Sequence, residues 1–280
     1  YNDADRSDTF SAGEGLVSVS LSLTGTDLYG NAVSTTVQTT AGGLYEFTEL
    51  PPSNASGYTI TQTQPAGYFD YRETAGSAAG TVNNAGFGSA ATFNAISAIV
   101  LAENESATGY EFADYEDADI SGAIYSDLNN DGSLNGAETG IAAGYGATPH
   151  VRLTGTDYAG NAVDVTAVTA SGAYTFADIA PSDATGYVVT QLEEPSGFLD
   201  GLEENGTGNT LAGTVDGIEQ IDVGVLNPGD VLGNRNFGQV AESSLAGIVY
   251  LDDNADGARQ GGETGTFDGA TIELSGTDDL

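Results

Sequence analysis

The chain repeats itself, and this limits its fold more than any other feature. Tyr1-Asn2-Asp3-Ala4-Asp5, Tyr125-Ser126-Asp127-Leu128-Asn129 and Tyr250-Leu251-Asp252-Asp253-Asn254 superimpose at a period of about 125 residues. Each is followed by the same corner, at Thr24 to Asp27, Thr154 to Asp157 and Ser275 to Asp278. The first two copies also match through their middles. Leu44-Tyr45-Glu46-Phe47 aligns with Ala173-Tyr174-Thr175-Phe176, Gly57-Tyr58-Thr59-Ile60-Thr61-Gln62 with Gly186-Tyr187-Val188-Val189-Thr190-Gln191, and Pro65 to Asp70 with Pro195 to Asp200. A unit of this length is a whole domain. Copy one is expected over residues 1–118 and copy two over 119–243; copy three begins at 244 and breaks off after one or two strands, at 280.

Alternation fixes the class of structure. Val17-Ser18-Val19-Ser20-Leu21-Ser22-Leu23 switches between apolar and small polar residues at every step, as do Tyr174-Thr175-Phe176 and Tyr58-Thr59-Ile60. Each run ends in Gly, Asn, Pro or Asp, and no long stretch carries a helical period. Short strands at this spacing predict an all-β chain of tandem antiparallel β-sandwiches. Tyr45, Phe47, Tyr58, Tyr174, Phe176 and Tyr187 are the expected core. Copies two and three open with a strand, Ile120 to Ile124 and Leu245 to Val249, whereas the sequence of copy one starts at the Tyr that follows it. Copy one is therefore expected to have an open edge. Upstream residues of a longer chain fill it, or a strand donated by a neighbouring subunit does.

Charge narrows the partners. Forty-one Asp and Glu against five Arg, with no Lys, give a net charge of -36. Such a surface repels nucleic acid and anionic membranes and favours divalent cations and a saline setting. The chain is nonetheless 39% hydrophobic, which separates it from an acidic disordered tail. There is no Cys, so disulfides and thiolate chemistry are excluded. The longest apolar run, Ala95 to Ala102, is too short to span a bilayer, and neither a signal peptide nor a starting Met is seen, as in a mature or excised piece of something longer.

The residues that carry chemistry lie just behind each repeat start. Asp127, Asn129 and Asp131 occupy positions 1, 3 and 5 of a twelve-residue loop, Gly132 position 6, Ser133 position 7 through its carbonyl, and Glu138 position 12. Ca²⁺ takes six to eight hard oxygens. Alternate residues turn three of them inward, Gly allows the bend, and the last Glu closes the shell. Copy three repeats the loop with Asp252, Asn254, Asp256, the carbonyl of Ala258, and Glu263. Copy one keeps Asp3, Asp5, Ser7, the carbonyl of Thr9, and Glu14 but has Asp8 in place of the Gly, and weaker binding is expected there. Ca²⁺ is the expected ion, with Mg²⁺ or an ion-free acidic turn as the alternatives. The flanks are strand-like, so the loop is EF-hand in coordination only.

Taken in order, Gly122 to Gly132 with Glu138, Val151 to Asp157, Ser171 to Phe176, Gly186 to Gln191 and Asn236-Phe237-Gly238 resemble the B-type repeat of serine-aspartate-repeat surface adhesins, the SdrD B-like domain. The resemblance covers almost the whole chain. It implies an extracellular, calcium-stiffened, immunoglobulin-like stalk module that holds a functional tip away from a bacterial cell. Copy one departs from the pattern in its missing strand and in Tyr110-Glu111-Phe112-Ala113. Related collagen-adhesin modules carry a Lys to Asn cross-link, which a chain without Lys cannot form.

The remaining candidates are secondary. Asp114, Asp117 and Asp119 mark the junction of copies one and two, as an interdomain calcium site or a solvated acidic linker. Asp70 and Asp200 follow matching Gly-aromatic turns and serve as turn formers or extra ligands. A single His, His150, and no triad motif argue against catalysis. The expected partners are neighbouring repeats or identical subunits of a stalk or filament. An adhesive module with an unidentified ligand is the other reading, with Tyr29 and Tyr158 in the corner loops as the residues to inspect.

Overall fold

The alternating runs become strands, and the described residues contain no α-helix. The computed structural model describes residues 1–84, 94–142, 150–206, 214–215 and 219–277. The insertion at 144–149, much of that around 76–92, and Asp278 lie outside the described residues.

Copy two is the fuller sandwich. One sheet holds β9 (His150–Asp157), β10 (Ala162–Val168), β12 (Ser182–Gln191) and β15 (Gln220–Gly224), in the order β10-β9-β12-β15. The other is built from β8 (Ala118–Ser126), β11 (Ala173–Ile179), β13 (Phe198–Asn205), β14 (Thr214–Val215) and β17 (Arg235–Ala241), in the order β11-β8-β17-β13-β14, with β16 (Val231–Leu232) also on β8. Side chains at two-residue steps face inward. Val151 and Leu153 of β9, Tyr187 and Val189 of β12, and Tyr174 and Phe176 of β11 are all buried, as predicted for the three aromatics.

The described strands pair antiparallel, as expected, except at β8, which runs parallel to β17 through Phe237↔Ile124 and parallel to β16. First and last long strands lie side by side and point the same way. The chain thus enters at one end of the sandwich and leaves at the other, as a head-to-tail array needs. The repeated corner is a hairpin turn. Asp157 Oδ1 accepts the Asn161 N–H at 2.8 Å, and Asp27 Oδ1 accepts that of Asn31 at 2.7 Å. Its Gly lets the next aromatic lie close: a Cβ on Gly155 would stand 2.5 Å from the Tyr187 ring.

Copy one repeats the first sheet with β1 (Ser20–Asp27), β2 (Ala32–Gln38), β3 (Ser53–Gln62), β5 (Thr81–Val82) and β6 (Ala95–Ile99), in the order β2-β1-β3-β6-β5. The strand predicted from Val17 begins only at Ser20, because Ser18 sits at φ 62°. The facing sheet is reduced to β4 (Tyr68–Thr74) and β7 (Glu111–Glu116). With no counterpart of β8 in the sequence, residues 44–50 have no strand to pair with and stay irregular. Tyr45 and Phe47, predicted as core, are therefore only half-buried. They line a cavity of about 1090 Å³ together with Leu21, Leu23, Ile60 and Phe112. Copy three differs as well: Leu245 to Val249, predicted as a strand, forms none, and Leu245 is 83% exposed.

Candidate metal centres

The three loops have one backbone. Position 4 is left-handed in each, at Arg6 (φ 57°), Asn130 (φ 50°) and Ala255 (φ 61°). Position 6 is too, at Asp8 (φ 61°), Gly132 (φ 70°) and Gly257 (φ 75°). Asp8 thus occupies the glycine conformation, which Asp tolerates better than most residues. Each loop is tied at its base. Ser126 N–H donates to Thr139 O at 3.1 Å, Leu251 N–H to Gly265 O at 3.1 Å, and Asn2 N–H to Glu14 O at 2.8 Å.

Backbone and side-chain hydrogen bonds tie the predicted ligands into their loops. Asp127, 2% exposed, accepts the Gly132 N–H on Oδ2 at 2.9 Å and the Asn129 and Asp131 N–H groups on Oδ1 at 3.2 and 3.3 Å. Asp252 accepts Gly257 N–H at 2.8 Å, and Asp3 accepts Asp8 N–H at 3.1 Å. The closing glutamates are held alike, Glu138, Glu263 and Glu14 accepting the N–H of Asn135, Gln260 and Ser11 at 2.8, 2.8 and 2.7 Å. Asn129 and Asn254 reach Asp131 and Asp256 at 2.8 and 2.9 Å. Ser133 and Ala258 donate their N–H to those same aspartates at 3.0 and 2.9 Å. In copy one the carboxylate oxygens of Asp3, Asp5 and Glu14 all lie within 4.8 Å of one another. Ser7 Oγ donates to Thr9 O at 3.0 Å. Burial pushes the Asp3 carboxyl up, while the Ser7 hydroxyl holds that of Asp5 down. An all-oxygen donor set of this kind fits Ca²⁺.

The secondary candidates separate. Asp117 and Asp119 are half-buried near the junction, but Asp114 is fully buried, which overturns the solvated-linker reading for that residue. Its carboxylate accepts the side-chain amides of Gln62 at 2.7 Å and Gln64 at 2.8 Å. Asp70 pairs opposite Asp114, and Asp200 opposite Gln239. Burial, with Asp114 beside it, pushes the Asp70 carboxyl up to about 6. Burial and the neighbouring Asp70 push Glu73 up to about 9. In copy two, Glu219 is pushed up to about 10 by burial and by Glu194. None of Glu73, Glu203 or Glu219 was singled out from the sequence. Gln62 and Gln191 offered a signal, because they continue the inward phase of Tyr58-Thr59-Ile60 and Tyr187-Val188-Val189 with a polar residue.

The first loop also meets copy two. The Arg6 guanidinium stands 4.9 Å over the Tyr158 ring and donates to Leu226 O at 2.5 Å. Tyr158 in turn packs edge-on against Tyr71 and Tyr115, at 5.7 and 5.2 Å between ring centres. Asp8 ties the loop to the same patch through the Tyr71 hydroxyl and through Arg72 at 3.3 Å. The two corner tyrosines thus differ: Tyr158 is a junction residue, while Tyr29 is 73% exposed.

Fold and loops define tandem all-β modules, each opening on a twelve-residue acidic loop, and the known proteins the chain resembles are of one kind. Serine-aspartate repeat-containing protein F of Staphylococcus epidermidis is 29% identical over 238 residues, which cover 84% of this chain and 12% of that protein. Bone sialoprotein-binding protein of Staphylococcus aureus (strain MRSA252) and serine-aspartate repeat-containing protein E of S. aureus (strain Newman) are each 26% identical over 247 residues, 88% of this chain and 19% of theirs. The chain thus spans 12% to 19% of the length of these relatives. The resemblance drawn from the motifs is borne out. No protein-family model matches the chain. A solved tetra-tandem repeat from the extending region of a large adhesion protein aligns over 84% of this chain and 69% of that one, at 13% identity and a TM-score of 0.16.

Proposed function

We propose that the chain is a non-catalytic segment of an extracellular bacterial surface stalk, in which calcium holds each repeat rigid. The supporting observation is register: three loops a repeat apart share the same left-handed positions, a first Asp that accepts the N–H of position 6 and a closing Glu that accepts the N–H of position 9. Turns that merely connect strands have no reason to keep a carboxylate at a distant twelfth position.

Calcium at each loop would be held by Asp3, Asp5, Ser7, Thr9 and Glu14 in copy one, Asp127, Asn129, Asp131, Ser133 and Glu138 in copy two, and Asp252, Asn254, Asp256, Ala258 and Glu263 in copy three. The ion supplies positive charge where the chain has gathered carboxylates. The residues hold the loop base against the last strand, since Asp127 N–H donates to Gln239 O and Asp3 N–H to Asp114 O, both at 2.9 Å. Stiffening then passes to the next repeat through Arg6 on Tyr158 and Leu226. Three ions offset only a small part of a charge of -36, so calcium orders the loops without neutralising the molecule.

Tyr29 favours a second reading, an adhesive module, because its side chain stands free on the corner loop. One relative is named for binding bone sialoprotein. Thermal melting of the chain tests the first reading. The transition in millimolar calcium should lie well above that in excess EGTA, and coincident transitions would remove calcium from the account.

A further inference from the structure

In a chain of net charge -36, the first sheet of copy one has an outer face with no charge at all. The only charged residue in β1, β2, β3, β5 and β6 is Asp27, which is buried in the corner turn and accepts the N–H groups of Tyr29 and Asn31. The pleat sends Leu21, Leu23 and Ile60 into the core and the residues between them outward. Strand pairing then sets the outward residues in rows. Ser22 lies between Thr36 and Thr61, and Thr24 between Ser34 and Thr59. Ser97 of β6 faces Thr81 of β5 beyond them. Neighbours in a row stand about 4.8 Å apart, and successive rows about 6.8 Å. Thr24, Ser34 and Thr36 are exposed, and Ser22, Thr59 and Thr61, nearer the middle of the sheet, are half-buried.

Copy two has the same sheet and a different face. Its strands pair in the same register, Asp164 opposite Thr154 where Ser34 stands opposite Thr24. Arg152 takes the place of Ser22, Asp164 that of Ser34, Val188 that of Thr59 and Asp222 that of Ser97. The Arg152 guanidinium donates to both carboxylate oxygens of Asp164, at 2.7 and 2.6 Å, across the rows. The fold therefore accepts charge at these positions, and bare hydroxyls are a property of copy one alone. At one end of its rows, the turn between β1 and β2 adds Tyr29, 73% exposed, whereas Tyr158 of the matching turn is taken up by the junction.

We propose that this face binds a neutral polysaccharide, with Ser22, Thr24, Ser34, Thr36, Thr59 and Thr61 as a hydrogen-bonding floor and Tyr29 as a stacking platform at its end. The inference rests on the adhesive reading and gives it a site and a class of ligand. Charge decides that class. A chain of -36 repels anionic polymers and a second copy of itself, and a cation would be drawn to the carboxylates elsewhere. A folded protein would need the apolar and aromatic anchors that the rows lack. A neutral sugar chain brings hydroxyls of its own. Each Ser or Thr hydroxyl both donates and accepts, so it exchanges water for a sugar hydroxyl without desolvating a charge. The Tyr29 ring adds a flat apolar surface with a polar tip. Each exchanged hydrogen bond contributes little net, so binding requires a ligand long enough to cross several strands.

Affinity electrophoresis of the full chain tests this, in native gels cast with a mixed-linkage β-glucan, a xylan, a galactomannan or a soluble starch, and with hyaluronan as the anionic control. At least one neutral polymer should retard the chain, and hyaluronan should not. The double substitution Ser34→Asp, Ser97→Asp imports the acids that copy two carries at these positions and should weaken the retardation at least about tenfold. Thr36→Asp, on the edge strand β2, supplies a second variant with the same expectation, and an unchanged melting temperature shows that each variant keeps its fold. Thr166→Asp, on the matching face of copy two, should leave the retardation as it is. No retardation by any of the neutral polymers, or equal retardation of the parent and both face variants, overturns the proposal. The adhesive reading fails separately. Retention on immobilised bone sialoprotein that is lost in Tyr29→Ala and kept in the double variant, with no retardation by the neutral polymers, preserves that reading and discards the hydroxyl face.

Discussion

Replacing Asp127 by Ala separates what the carboxylate does for the loop from what it does for an ion. Asp127 is 2% exposed and receives the N–H groups of Gly132, Asn129 and Asp131. Only the Gly132 bond, at 2.9 Å, has near-ideal length, and its donor is buried. A hydrogen bond to a charged acceptor contributes about 1.5–3 kcal/mol, and the two longer bonds can be replaced by water, so the ion-free cost is about 2–3 kcal/mol. With calcium a hundredfold above its dissociation constant, the parent gains roughly a further 2.7 kcal/mol that the variant forgoes. For a domain of this size each kcal/mol moves the transition by about 4 °C. Differential scanning calorimetry should therefore show copy two falling by about 10 °C in EGTA and about 20 °C in calcium. Equal falls in the two conditions would refute the metal reasoning, and no fall in EGTA would refute the capping reasoning.

Other perturbations probe the junction, the weak loop and the open edge. Arg6→Ala removes a cation–π contact of about 0.5–1 kcal/mol and a charged hydrogen bond, and should split the melting of copies one and two into separate transitions; a single unchanged transition would show that the contact does not couple them. The loop of copy one, with Ser7 at position 5, should bind calcium at least about tenfold more weakly than that of copy two, read by calorimetric titration of Glu138→Gln against Glu14→Gln. Adding an Ile-Ser-Gly-Ala-Ile segment before Tyr1 should stabilise copy one by about 3–6 kcal/mol through two buried Ile side chains. The same addition should slow amide exchange over residues 44–50, and exchange at the original rate would mean that the cavity does not accept a β8-like strand.

What could be read from the sequence was whatever is local along the chain. The loops are local: every ligand of Asp127 to Glu138 lies within one turn of sequence, so residue type and spacing are enough to propose the site. The alternating runs gave Tyr58, Tyr174, Phe176 and Tyr187 their inward faces. Tyr45 and Phe47 carry the same pattern and still form no strand, because a strand needs a partner as well as a pattern. The parallel β8 and β17 pair joins residues at the two ends of a repeat, and no short-range signal reports it. The buried clusters were hidden for the same reason. Asp70 looks like a turn former in its own segment; only the pairing of β4 with β7 shows it opposite Asp114. Tyr158 and Tyr29 are equivalent in sequence and differ in place, since one has a neighbouring repeat's Tyr71 and Tyr115 to pack on.

Calcium-dependent stiffness of the tandem array is most directly measured by small-angle X-ray scattering of the chain in millimolar calcium and in excess EGTA. Calcium-bound repeats in head-to-tail contact predict an extended, well-defined particle whose scattering falls off as that of a folded rod. Removing calcium should raise the high-angle signal of a flexible chain and broaden the distance distribution. Superimposable profiles in the two conditions would contradict the account, because the loops would then hold their shape, and the junction its angle, without the ion.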